Sequence, residues 1–170
     1  EVIVPAPYWV SYVEMVKLAE GTNVVISAGI EQDFKITPAQ LEAAITPKSK
    51  AIILCSPSNP TGSVYSKDEL KGLADVLAKH PNIIIISDEI YEHINYTGKH
   101  ESIAQFENIR ERVVIINGVS KAYAMTGWRL GWMAAPQWIA AACNKLQGQY
   151  TSGASSIAQK AAEAAYLGGQ

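Results

Sequence analysis

Four isoleucines in a row, Ile83-Ile84-Ile85-Ile86, run directly into Ser87-Asp88-Glu89-Ile90-Tyr91. A short, continuous apolar run that stops at polar residues fits a strand buried on both faces, the environment of a parallel sheet. Comparable β-branched runs occur at Val2–Val4, Asn23–Ser27, Ala51–Cys55, Val113–Asn117 and Leu130–Ala134, with the central one taken as Ile83–Ser87. Helical spacing fills the intervals at Tyr12–Ala19, Pro38–Ile45, Lys67–Lys79, Pro136–Tyr150 and Ser155–Leu167. Ser66 with Glu69 three residues later forms a capping box ahead of the third helix. Strand and helix in alternation predict a doubly wound α/β fold. Its sheet is mostly parallel, with right-handed crossovers and helices on both faces.

Composition narrows the function. The 170 residues are 48% hydrophobic and 18% charged, which is globular and excludes an intrinsically disordered chain. Fourteen basic and sixteen acidic residues leave a net charge of −2, so neither nucleic acid nor an anionic membrane is the expected partner. No apolar run approaches the ~20 residues of a membrane span. Cys55 and Cys143 form no C-x-x-C pair and no disulfide framework, so a reducing, cytoplasmic setting is expected. Asn95-Tyr96-Thr97 fits a glycosylation sequon, a chance match in that setting.

Ligands of a doubly wound sheet collect at the carboxyl ends of its strands. Ala51–Cys55 runs into Ser56-Pro57-Ser58-Asn59-Pro60-Thr61-Gly62, and the central strand into Asp88 and Tyr91. Val113–Asn117 runs into Gly118-Val119-Ser120-Lys121, with Arg129 a few residues on. Each feature has an ordinary structural explanation. Asn-Pro-Thr-Gly makes turns, Asp caps helices, and lone Lys and Arg side chains are mostly solvated. Trp9 suits core or rim packing. As a set they are chemically complementary. A buried Lys forms a Schiff base with an aldehyde such as that of pyridoxal phosphate. The ring nitrogen of that cofactor needs an acid partner, and its hydroxyl and phosphate need polar donors.

Ser58-Asn59-Pro60-Thr61-Gly62, Asp88-Glu89-Ile90-Tyr91 and Ser120-Lys121-Ala122-Tyr123-Ala124-Met125-Thr126-Gly127-Trp128-Arg129-Leu130-Gly131 resemble, in order and spacing, the class I/II aminotransferases, fold-type I pyridoxal-phosphate enzymes. Pro5-Ala6-Pro7-Tyr8-Trp9-Val10-Ser11-Tyr12 resembles the bacterial aspartate aminotransferase branch. The resemblance implies that Lys121 holds the cofactor as an internal aldimine and then shuttles the substrate proton. It implies that Asp88 pairs with the pyridine nitrogen, and that Tyr91 and Asn59 bond the ring hydroxyl. Ser120 and Arg129 are implied to bind the phosphate and Trp9 to stack on the ring. It further implies an amino donor such as aspartate, 2-oxoglutarate as acceptor, a homodimer, and cis peptides at Ala6–Pro7 and Asn59–Pro60.

Departures from the family pattern are specific. One branch has Ser three residues before the Lys, where this chain has Gly118, so one phosphate contact is either lost or supplied by a backbone N–H. Lys145-Leu146-Gln147-Gly148-Gln149-Tyr150 offers no Arg for a distal carboxylate. Glu1-Val2-Ile3 starts as a strand already under way and the chain stops just past a helix. The expectation is therefore part of a large cofactor-binding domain, without its upstream phosphate loop and its small domain, and inactive alone. Another fold-type I reaction (β-elimination or cyclopropane formation) and an aminotransferase-like sensor domain of a transcription regulator are the alternatives. Dinucleotide and P-loop fingerprints are missing from the sequence, and Gly118–Ala122 only approaches a nucleophile elbow. His80, His93 and His100 are not in metal-ligand spacing and are expected at the surface.

Overall fold

The computed structural model describes residues 1–168; Gly169 and Gln170, part of the sequence-based expectation for the chain's end, lie outside them. Its strands are β1 (Val2–Ala6), β2 (Asn23–Ser27), β3 (Ala51–Cys55), β4 (Ile84–Asp88), β5 (Val113–Gly118) and β6 (Gly131–Ala134). The helices are α1 (Ser11–Leu18), α2 (Pro38–Ala44), α3 (Lys67–Ala78), α4 (Gln137–Tyr150) and α5 (Ser156–Leu167). The six strands lie in the order β2-β1-β3-β4-β5-β6. Every neighbouring pair is parallel except β5 with β6.

Neighbouring residues of a strand point to opposite faces, and here both faces are apolar. Ile3, Ile52, Leu54 and Ile85 pack with Leu41 of α2 and with Leu70, Leu73 and Leu77 of α3. On the other face Val4 and Ile53 meet Tyr12 and Val16 of α1. The unbroken apolar runs of the sequence are therefore two interleaved sets of core side chains. Each Leu or Ile fully removed from water contributes about 1.5–3 kcal/mol. The expected capping box holds: the Glu69 N–H donates to Ser66 Oγ at 3.3 Å, and the Ser66 N–H to Glu69 Oε2 at 2.7 Å. At the far end of α3, Arg112 donates to the carbonyls of Leu77, His80 and Ile83 at 3.0, 3.0 and 2.6 Å.

Two differences from the sequence reading matter for the site. The central strand is displaced by one residue, so Asp88 is its last member and pairs with Cys55 on one side and Ile116 on the other. β6 runs antiparallel and keeps much of its surface exposed, Trp132 included, so it lacks the two-sided burial of the central strands.

Candidate active site

The chain passes from β1 outward to β2 and then returns to the other side of β1 as β3. That reversal parts the loops at the strand ends and leaves a crevice there. Trp9 follows β1, Asn59 follows β3, Asp88 ends β4 with Tyr91 just beyond it, and Ser120 and Lys121 follow β5. Because β6 is antiparallel, its beginning lies at this same edge, which brings Arg129 to the others. All seven line one cleft of about 420 Å³, together with Tyr12, Thr126 and Gly131.

Asp88 is the best fixed of them. Its backbone is hydrogen-bonded on both sides, from the Ser56 N–H to its carbonyl and, one residue on, from the Glu89 N–H to the Ile116 carbonyl. Its carboxylate accepts from the Ile90 N–H at 3.2 Å and from the Tyr12 phenol at 2.5 Å. Burial, with Cys55 and the Asp88 carboxylate nearby, raises the Tyr12 phenol far above its ordinary range, so it remains a donor. Burial and Asp88 likewise push the Cys55 thiol up to about 11, which keeps it protonated and a poor nucleophile. Sequence reasoning gave Tyr12 no role. Its signal was the spacing from Trp9, three residues earlier and just ahead of α1, where the Tyr12 N–H donates to the Trp9 carbonyl at 3.0 Å. Their rings meet edge to face at 5.5 Å.

Asn59 Nδ2 donates to the Tyr91 hydroxyl at 3.4 Å, and Lys121 Nζ lies 5.8 Å from the centre of the Tyr91 ring. Ala6–Pro7 and Asn59–Pro60 are cis as the resemblance implies, and so is Ser56–Pro57. The segment between β5 and β6 is pinned by buried Val119, whose carbonyl accepts from the N–H groups of Tyr123 and Met125. Thr126 Oγ1 donates to the Ser120 carbonyl at 3.0 Å, and Arg129 Nη1 to the Thr126 carbonyl at 2.8 Å. Arg129 itself has φ 52, a left-handed conformation uncommon for a residue with a side chain and one that clusters at functional sites. Ser120, Thr126 and Arg129 thus form one connected rim.

Two expectations need correction, and the open alternative at Gly118 narrows. Lys121 follows a buried strand but is itself exposed, as are Arg129 and Trp9, because the cleft is open to water. A Cβ on Gly118 would stand 2.9 Å from Gly131 Cα and from the Leu130 carbonyl oxygen, so no serine fits there. The Gly118 N–H is already engaged, donating to Asn117 Oδ1 at 2.7 Å. His100 is not at the surface: its side chain is 16% exposed and its Nε2 stands 2.9 Å from Glu89 Oε2. Glu89, Glu92 and His100 bring potential metal-binding atoms within 4.8 Å of one another, but both Glu89 oxygens already have protein partners.

Strand order and the gathering of polar side chains at the reversal define a ligand-binding α/β domain. Comparison with known families makes that class specific: the chain belongs to aminotransferase class I and II, whose family model matches residues 1–170. It is 54% identical to the bifunctional aspartate aminotransferase and glutamate/aspartate-prephenate aminotransferase of Petunia hybrida, over all of this chain and 36% of that protein. It is also 54% identical to the aspartate aminotransferase of Geobacillus stearothermophilus, over 100% of this chain and 44% of that one. The crystal structure of the Rhizobium meliloti aspartate aminotransferase superposes with a TM-score of 0.94 at 43% identity, covering 99% of this chain and 42% of that one. The chain therefore spans less than half the length of these relatives.

Proposed function

We propose that the protein carrying this chain is a pyridoxal-phosphate-dependent aminotransferase. It moves an amino group from an amino acid, aspartate favoured, to a 2-oxo acid, 2-oxoglutarate favoured. The observation that supports this most is that the seven residues named from the sequence line a single cleft. The donor set fits the cofactor: an amine, a carboxylate, a phenol–amide pair, an indole face, and a hydroxyl beside a guanidinium. When bound, pyridoxal phosphate supplies an aldehyde that condenses with amines and a protonated ring that accepts an electron pair.

The roles of the side chains follow from their chemistry. Lys121 would hold the cofactor through its amine and, with that amine free, would serve as the base that takes the proton from the substrate α-carbon. Asp88, held by Tyr12 and the Ile90 N–H, would pair its carboxylate with the ring nitrogen and keep that nitrogen protonated. Tyr91 and Asn59 would bond the ring hydroxyl and Trp9 would cover the ring. Arg129 would offer a planar pair of N–H donors to the phosphate beside the Ser120 hydroxyl.

The chain is read as most of a large cofactor-binding domain, in a protein that works in the cytoplasm as a homodimer. Two free cysteines suit that compartment, and exposed Trp128, Trp132 and Trp138 suit coverage by further protein. No helix among the described residues is long and apolar enough to cross a membrane.

The test uses the intact protein with pyridoxal phosphate: borohydride reduction followed by peptide mapping, and a coupled assay with aspartate and 2-oxoglutarate. A reduced cofactor on Lys121 and amino transfer are the expected results. Label on another lysine, or none, refutes the reading.

A further inference from the structure

Glu89 stands between two residues of the cleft, Asp88 and Tyr91, yet it faces away from both. Along the end of β4 the side chains alternate. Asp88 and Ile90 line the cleft, while Ser87 and Glu89 turn into the interior and are 6% and 3% exposed. A carboxylate taken that far from water costs several kcal/mol unless donors surround it. Here Glu89 Oε1 accepts from Ser87 Oγ at 2.8 Å and from Ser102 Oγ at 2.7 Å, and Oε2 faces His100 Nε2 at 2.9 Å.

Two of the three partners come from a segment that contributes nothing to the cleft itself. Ser102 also caps the short helical turn Ile103–Gln105 by accepting from the Ala104 N–H at 3.2 Å. Ile103, 1% exposed, ties that turn into the core. The hydrogen bond to Glu89 raises the affinity of His100 for a proton, with Glu92 and Glu101 adding to it. The backbone of Glu89 is equally committed. Its N–H donates to the Ile116 carbonyl, and its carbonyl accepts from the Glu92 N–H at 2.9 Å, closing the turn that carries Tyr91.

We propose that Glu89, clamped by Ser87, Ser102 and His100, is the positioning residue that fixes the Asp88–Tyr91 turn against the cofactor. The inference rests on the pyridoxal-phosphate reading above. Its physical content is directional. Apolar side chains of similar volume in place of the whole cluster would fill the space at equal or better stability, whereas loss of Glu89 alone leaves Ser87, Ser102 and His100 without their acceptor. Only a group with several fixed hydrogen bonds sets the rotation of the turn, and with it the placing of the Tyr91 phenol and the Asp88 carboxylate. Displacement by even ~1 Å is enough to cost ~10²-fold in a reaction that depends on positioning.

The experiment uses the intact protein and three variants, Glu89→Gln, His100→Gln and Ser102→Ala; the last removes a single hydroxyl and is the mildest to the fold. For each, pyridoxal phosphate affinity, the pH midpoint of the colour change of the lysine-linked cofactor and the melting temperature of the cofactor-free protein are measured. The expected result is a three- to tenfold weaker affinity and a midpoint moved by half a pH unit or more in all three. Variants that melt earlier but keep the parental affinity and midpoint overturn the inference and leave the functional reading intact. A parent protein that takes up no pyridoxal phosphate refutes both.

Discussion

The Tyr12 phenol donates to Asp88 Oδ2 at 2.5 Å, joining two residues 76 positions apart in the chain. One comes from the first turn of α1 and the other from the end of β4, so this contact ties a helix on one face of the sheet to the strand at its centre. A hydrogen bond to a charged group contributes about 1.5–3 kcal/mol. Tyr12→Phe keeps the ring and its edge contact with Trp9 and removes only the donor. Pyridoxal phosphate affinity of the intact protein, followed by absorbance titration, should fall about 10- to 100-fold. Affinity within twofold of the parent would show that Asp88 holds its position without the phenol.

Gly118 of β5 pairs with Gly131 of β6. A Cβ there meets Gly131 Cα and the Leu130 carbonyl, both main-chain atoms that cannot rotate aside. Gly118→Ala should cost about 1–3 kcal/mol, as overpacking does, read from urea unfolding. The same displacement moves Ser120 and Lys121, which follow two and three residues later. Unchanged stability would mean that β6 shifts freely at the sheet edge.

Arg112 collects three main-chain carbonyls at the end of α3, where the helix carries partial negative charge; the Leu77 and His80 carbonyls also accept from the His80 and Ile83 N–H groups. Arg112→Ala should lower stability by about 2–4 kcal/mol in chemical denaturation. Arg112→Lys should recover less than half of the loss, since one ammonium group cannot reach all three oxygens in the planar spread of a guanidinium. Equal stability of the Lys variant and the parent would assign the effect to charge alone.

The His100–Glu89 pair predicts a pH dependence of stability. The hydrogen bond to Glu89, reinforced by the charges of Glu89, Glu92 and Glu101, raises the imidazole pKa above its ordinary 6.5 and outweighs the opposing effect of burial. A raised pKa in the folded state stabilises fully below the unfolded value. That contribution disappears as pH climbs through the folded value. The melting-temperature advantage of the parent over His100→Gln should therefore be largest near pH 6 and shrink toward pH 9. An advantage that is constant across this range would show that the pair does not depend on the proton.

The elements and the chemistry placed at their ends were legible along the chain. Runs such as Ile52-Ile53-Leu54 and Ile83–Ile86 could be read as buried strands, and Ser66 with Glu69 as a helix start, because each signal is carried by neighbours along the chain. Thr37 with Gln40 carries the same signal and forms a second capping box, which the sequence reading passed over. Asn59, Asp88, Tyr91, Ser120, Lys121 and Arg129 were legible because strand ends and family motifs coincide. The tertiary structure alone decided the strand order, the reversed direction of β6 that returns Arg129 to the cleft, and the contact of His100 with buried Glu89. It alone brought the Tyr12 phenol to Asp88. Those facts depend on which faces of distant elements pack together, and a chain position holds no record of its partner 76 residues away until the two helix-covered faces of the sheet have closed around their cores.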